Sequence, residues 1–244
     1  MIEAAGAGTT AYAAIVILVA YLVRGIAGFG SGLIAVPLLT LVAPLSIVVP
    51  LVVCLDYIGS ASQGLRNRRA IAWTELIALL PFTIIGVATG LLILNNVATE
   101  NLAKALGCFV IVYAIYQLIV LPAVRASRIA ATYCGFLGGL MGAIFNAGGP
   151  FYVIYFSMRI LDKTALRSTF AANYLIDGGI RLIAYATIGL FNRELLVYLV
   201  MALPLAVVAL FVGGRVHIGL SPRVFVRFIS LLLVASGALL ILRN

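Results

Sequence analysis

Four side chains that carry full charge sit where charge is expensive. Arg24, Asp56, Asp177 and Arg181 lie inside stretches that are otherwise apolar. A charge at bilayer depth costs several kcal/mol unless it is paired or hydrated, so each is a functional candidate. Asp177 and Arg181 are four residues apart and share one face of a helix, which suits an intramembrane ion pair. Asp56 has no partner nearby in sequence. It reads as a proton carrier or as the partner of Arg24. Arg24 itself adjoins the glycine cluster Gly28-Phe29-Gly30-Ser31-Gly32, and a second cluster, Phe145-Asn146-Ala147-Gly148-Gly149-Pro150, opens another apolar run. Unwound backbone at membrane depth is tolerated where it lines a cavity or is buried by protein, and paired breaks of this kind mark the binding sites of transporters. A short helix beginning at each break would aim its N-terminal N–H groups and partial positive charge inward. Two such ends make an anion site, with Arg24, Gly28, Gly30, Ser31, Gly32, Asn146, Gly148, Gly149 and Pro150 as its substrate-binding candidates. Glycine admits a ligand close to the backbone, and Pro150 suits a first helical turn. Of the two arginines, Arg24 is the better placed to help the ligand and Arg181 to pair with Asp177. Tyr57, Asn173 and Tyr174 are further candidates because they recur at matched positions, as set out below.

The elements that must hold these residues are transmembrane helices. The 244-residue chain is 64% hydrophobic and 9% charged, where a soluble domain carries about 25% charge. Its mean hydropathy is +1.22. Apolar segments of about twenty residues fit helices and not barrel strands. The net charge of +9 is the excess of basic residues that flank membrane helices, not a nucleic-acid signal. No cleavable leader is expected, since Glu3 and no basic region precede the first apolar run. Cys54, Cys108 and Cys134 read as small core residues. Glu75, Trp73 and Tyr198 read as interfacial, and His217 as solvated. No metal-ligand cluster, nucleotide loop or cofactor motif is present, so the chain does not read as an enzyme.

The first apolar run, about 10–43, would be roughly 50 Å long as one helix, too long for a core of ~30 Å. The glycine cluster divides it into two short pieces. Spans follow at about 45–65, 72–94 and 102–121. The pattern restarts with an overlong, broken run at 130–158 and spans at 164–190, 195–214 and 224–242. Gly32 pairs with Gly149, and Asp56-Tyr57 with Asn173-Tyr174, at one common offset. After a small gap Pro81 pairs with Pro204, Gly90 with Gly213 and Lys104 with Arg227 at a second. The expected fold is therefore all-α and polytopic: a single membrane domain, 1–244, built of two inverted repeats (about 10–121 and 130–243), each a broken, re-entrant helical hairpin plus three transmembrane helices. If both broken elements re-enter, Arg66, Arg68, Arg69, Arg125, Arg128, Arg159, Lys163, Arg167, Arg215, Arg223 and Arg227 all face the cytoplasm. Only Lys104, Arg193 and Arg243 then lie outside, as the positive-inside rule prefers. Full crossing by both broken elements is the alternative.

The strings Gly28-Phe-Gly-Ser-Gly-Leu-Ile-Ala-Val-Pro37 and Gly135-Phe-Leu-Gly-Gly-Leu-Met-Gly142, the latter leading to Asn146-Ala-Gly-Gly-Pro150, together with the basic loop ending at Arg69, resemble the sulfite exporter TauE/SafE family over nearly the whole chain. The resemblance implies a multi-pass transporter of a bacterial or archaeal inner membrane, moving a small sulfur-containing anion such as sulfite, a sulfonate or thiosulfate by alternating access. Ser31 and Asn146 depart from the family's usual glycine-rich pattern, which makes Asn146 a candidate for tuning substrate choice. A proton or a sodium ion is the expected coupling partner, and a homodimer is left open. A passive anion channel or a non-transporting scaffold subunit are the rival readings.

Overall fold

The computed structural model describes residues 6–28, 30–64, 68–118, 127–160, 162–215 and 222–243. Arg66, Pro122, Arg125 and His217 lie outside the described residues. Ten α-helices follow in order: α1 (Ala7–Ala27), α2 (Ser31–Thr40), α3 (Leu45–Gly64), α4 (Trp73–Asn96), α5 (Thr99–Leu118), α6 (Ala130–Phe145), α7 (Gly149–Arg159), α8 (Lys163–Thr187), α9 (Arg193–Arg215) and α10 (Pro222–Arg243). Among the described residues there is no strand. Both breaks fall where the glycine clusters place them. One expectation needs correction. The first broken run does not divide into two short pieces: α1 has 21 residues and α2 has 10. Among the described residues, four helices are long and apolar enough to cross a bilayer, at Gly8–Ile26, Trp73–Asn96, Thr99–Leu118 and Arg193–Arg215. The first half of the first break is thus itself of spanning length. Of the cysteines, Cys54 is buried but Cys108 is exposed and Cys134 intermediate, so only the first is a core residue.

The chain divides into two compact units. One comprises Met1–Val52, Ala98–Val120 and Arg193–Asn244; the other comprises Val53–Val97 and Leu121–Asn192. In the first unit α1 packs on α9 and α2, and α5 on α10. The α1–α9 seam closes on glycines. A Cβ built on Gly213 would fall 2.3 Å from the Leu22 carbonyl oxygen, and one on Gly25 would fall 2.6 Å from that of Leu210. The α1–α2 pair is a hairpin: the Tyr12 hydroxyl, near the start of α1, donates to the Leu38 carbonyl near the end of α2 at 3.0 Å. Gly28 and Gly30 make its tip with φ of +85° and +98°, a conformation that a side chain disfavours.

In the second unit α6 lies along α4, and contact points rise together along both helices, so the two run parallel. A Cβ on Gly135 would fall 2.7 Å from the Leu79 carbonyl, one on Gly139 2.3 Å from that of Thr83, and one on Gly90 2.8 Å from Ala143 Cβ. Small residues let helix backbones approach this closely in a membrane. Helix α7 then doubles back. A Cβ on Gly138 would meet the Tyr152 ring at 2.3 Å, and one on Gly148 the Gly138 carbonyl at the same distance. At the far end of α7, Arg159 reaches Glu75 in the first turn of α4. The hairpin α6–α7 therefore opens at the end where α4 begins, and its tip lies level with Gly90, about 25 Å along α4 from Trp73. Both ends of the hairpin therefore lie at the same end of α4.

Two outcomes test this architecture. Cysteines placed at Trp73 and at Arg159 should be modified by an impermeant thiol reagent from one and the same membrane face; labelling from opposite faces would contradict the hairpin. Gly86→Val sets a branched side chain where a Cβ already falls 2.2 Å from the Phe136 carbonyl. It should lower thermal stability by about 1–3 kcal/mol, since overpacking a tight seam forces backbone apart.

Candidate substrate site and its buried charge network

The second hairpin turns with an asparagine, not a glycine, in the left-handed position. Asn146 caps α6 in the left-handed region at φ +52°, the sole non-glycine residue there among those described. Asparagine tolerates this region better than most side chains. The turn puts the backbone N–H of Asn146 on the Gly142 carbonyl at 2.9 Å and that of Ala147 on the Met141 carbonyl at 3.1 Å, which satisfies the end of α6. It also aims the Asn146 side chain at two helices. Its Nδ2 donates to Asp56 Oδ2 on α3 at 2.8 Å. Its Oδ1 accepts from Arg181 Nη1 on α8 at 2.6 Å. Arg181 Nη1 also donates to the Gly142 carbonyl at 2.9 Å, and its Nη2 pairs with Asp177 Oδ2 at 2.8 Å. Asp56, Asn146, Asp177 and Arg181 are each no more than 3% exposed. Tyr185 closes the side of the network by donating to the Ala143 carbonyl at 2.7 Å.

This gathers candidates that are remote in sequence. Asp177 and Arg181 form the ion pair that their spacing suggests. Asp56 has a partner after all, in Asn146. The Asn146 oxygen accepts from the arginine, and an amide hydrogen goes to the carboxylate. Around the network several buried polar atoms have no hydrogen-bond partner: Tyr152 Oη, Asn173 Nδ2, Asp177 Oδ1 and Arg181 Nε. Tyr152 Oη lies beside Asp177 and Thr83 without meeting hydrogen-bond geometry. The glycines of the second break are not open. Gly148 packs on α6, as above, and a Cβ on Gly149 would fall 2.9 Å from the Tyr174 hydroxyl oxygen. Pro150 is buried in the first turn of α7. Tyr57 is 36% exposed and stands against Gly178 and Gly179.

In the other unit, Arg24 is 3% exposed at the last turn of α1 and donates from Nη1 to Ser31 Oγ at 3.1 Å. Ser31 is the first residue of α2, and no side chain caps that helix. The Arg24 guanidinium thus lies at the first residue of α2, with Gly32 buried next in line. A Cβ on Gly28 or Gly30 would meet nothing within 4 Å, so these two glycines, unlike Gly148 and Gly149, border open space.

One polar cluster escapes sequence reasoning. Glu75 has partners within the protein: it is 9% exposed, accepts from the Tyr155 hydroxyl at 2.6 Å and holds Arg159 through Nε at 3.0 Å and Nη2 at 2.8 Å. A fork of this kind is a strong, orienting contact. Near it, the backbone N–H of Ala72 donates to Thr169 Oγ1 at 2.8 Å, which ties the start of α8 to the same end. A glutamate in the first turn of a helix beside a tryptophan gives no sign of partners more than eighty residues on.

Apolar helices of spanning length, with hairpins that carry buried arginines at their tips, are the build of a multi-pass membrane protein. The chain belongs to the sulfite exporter TauE/SafE family, whose model matches residues 13–240. It is accordingly a membrane transporter of the bacterial inner-membrane type and not an enzyme. A curated relative from Cupriavidus necator, described as a probable sulfite/organosulfonate exporter TauE, is 26% identical over 226 residues, covering 89% of this chain and 88% of that protein. No solved structure matches the chain.

The network predicts a stability cost. Arg181→Ala leaves Asp177 buried and uncompensated and should cost about 3–5 kcal/mol, seen as a fall in the melting temperature of the purified protein. Arg181→Ala combined with Asp177→Ala should recover part of that loss.

Proposed function

We propose that the protein exports a small sulfur-containing anion of the sulfite, sulfonate or thiosulfate class by alternating access, coupled to a proton. The observation that carries the reading is the tip of the first hairpin. Arg24, buried and bonded to Ser31, shares one point with the uncapped start of α2. A tetrahedral oxyanion has the size and charge for such a point, and backbone N–H groups with a guanidinium are the donors it prefers. The description of the Cupriavidus necator relative as a probable sulfite/organosulfonate exporter supports the substrate class. A single membrane domain made of two related halves is part of the same reading. In support, α1 pairs with α9 in one unit and α6 with α4 in the other. Those are the same partners with the halves exchanged, and Gly213 and Gly90, which line the two seams, are matched positions of the halves. Asp56 is the proton site in this reading.

Reconstituted protein tests it. Liposomes loaded with sulfite should show accelerated exchange in counterflow and dependence on an imposed pH gradient; uptake without counterflow would instead identify a passive channel. Arg24→Ala should weaken binding of the anion about ten- to a hundredfold, the loss expected for one charge-assisted hydrogen bond of roughly 1.5–3 kcal/mol. Asp56→Asn should retain exchange but lose acceleration by the pH gradient.

A further inference from the structure

Helix α8 carries its polarity on the inside. From Thr169 to Tyr185 every fourth residue is polar and buried: Thr169 and Tyr185 are 0% exposed, and Asn173, Asp177 and Arg181 are 2% exposed. Ile183, off this stripe, is 70% exposed. The stripe covers about 24 Å of the helix. Ionisable side chains in a membrane segment face the protein interior or a water-filled space. Near one end of the stripe Thr169 accepts from the Ala72 N–H, close to the Glu75–Arg159 fork. Further along, Tyr152 of α7 lies beside Asp177 and beside Thr83 of α4. At the depth of the hairpin tip Arg181 meets Gly142 and Asn146. Four atoms of this seam are buried without a hydrogen-bond partner: Tyr152 Oη, Asn173 Nδ2, Asp177 Oδ1 and Arg181 Nε. Among the described residues only Ser230 Oγ shares that condition elsewhere. Polar atoms left so are unfavourable, and their concentration on one seam calls for something that completes them.

Their chemistry says what that is. Nδ2 and Nε only donate, a carboxylate oxygen only accepts, and the tyrosine hydroxyl does both. An anion would suit the two nitrogens and be repelled by Asp177 Oδ1. A cation would suit that oxygen and be turned away by the nitrogens. Water donates and accepts, so it serves all four. The spacing agrees. Four residues rise about 6 Å along a helix, and one water with hydrogen bonds of ~2.8 Å on each side bridges about 5.5 Å. We propose that the seam of α8 with α4 and α7 holds a file of exchangeable water that opens beside Arg159 and ends at the hairpin tip. The Arg159 side chain is 27% exposed and the Glu75 side chain 11%, which puts the mouth at the fork. Buried waters of this kind typically make about three hydrogen bonds to polar groups that otherwise lack partners. The file goes beyond the transport reading and holds for an exporter or a channel alike. It gives the second unit work of its own, bringing bulk water to the depth of Asn146 while the Asp177 carboxylate keeps free anions out.

The test is hydroxyl-radical footprinting of the full chain in nanodiscs. A brief X-ray pulse makes radicals from water wherever it sits, so a buried side chain is oxidised when water touches it. Tyr152 should be oxidised. Tyr21, as deeply buried but bonded to the Val52 carbonyl, is the matched control and should not be. Heavy-oxygen water mixed in just before the pulse should appear in the Tyr152 product, because the file exchanges with bulk. Asn173→Leu places an apolar side chain in the seam and should lose the Tyr152 label. Asn173→Ser keeps a hydroxyl and room for water and should retain it. An unlabelled Tyr21 in each variant reports that the fold holds. A wild-type Tyr152 that stays unlabelled overturns the file, and so does a label carrying only light oxygen, which marks a sealed water. An Asn173→Leu protein labelled like the wild type overturns the route along α8. None of these outcomes touches the transport reading, which stands or falls on counterflow; a labelled Tyr152 in a protein without counterflow upholds the file alone.

Discussion

A guanidinium buried to 2% exposure constrains everything within reach of it. It cannot lose its proton and can accept nothing, so each neighbour has to present oxygen. Arg181 meets three such oxygens on two helices and one turn: Asp177 within α8, the Gly142 carbonyl at the end of α6, and Asn146 at the hairpin tip. The tip of the second hairpin is thus pinned by charge where a bilayer offers little else. Lipid chains are as apolar as leucine, so helix association there rests on close packing and on polar contacts, not on the hydrophobic effect.

The second constraint is backbone approach. Hairpin and partner helix sit so close along α4 and α6 that hypothetical Cβ atoms at Gly86 and Gly139 would lie on carbonyl oxygens. Such a seam fixes the register of α6 against α4, and hence the depth at which Asn146 ends the hairpin. At the opposite end the Glu75–Arg159 fork holds the end of α7 against the first turn of α4. Seam, tip and fork triangulate the hairpin: glycines set its depth, Arg181 holds its point, and Glu75 holds its open end. Anchoring at tip and open end is what makes the hairpin a fixed feature of this unit.

Much of this is legible in the chain. The breaks are visible because the segments are too long for a bilayer and because glycine clusters interrupt them. The Asp177–Arg181 pair is visible because helical spacing is a local property. What is hidden depends on which helices meet. Nothing in the neighbourhood of Asp56 names Asn146, ninety residues away, and nothing near Glu75 names Arg159. The length of α1 is hidden for a related reason: the glycine cluster shows that the run is interrupted but not how unequal the pieces are. The matched pair Asp56 and Asn173 illustrates the limit of comparing halves. Both are buried, yet Asp56 is bonded to the hairpin tip while Asn173 Nδ2 has no partner. Equivalent positions in sequence have taken different electrostatic work.

The two tips make the same point through backbone. The first turns on Gly28 and Gly30, both left-handed with open space beside them. The second turns on Asn146, which accepts a strained conformation that glycine would adopt freely. Strain of this kind persists where the surroundings over-determine it. Here they do, since one end of the amide is claimed by Arg181 and the other by Asp56. Glycine would relax the turn but leave a buried carboxylate and a buried guanidinium each short of a partner. The asparagine is therefore retained by its side chain and tolerated by its backbone, which is the reverse of the arrangement at the first tip. The two tips thus differ: one keeps room beside its backbone, and the other spends its backbone freedom on linking an acid to a base.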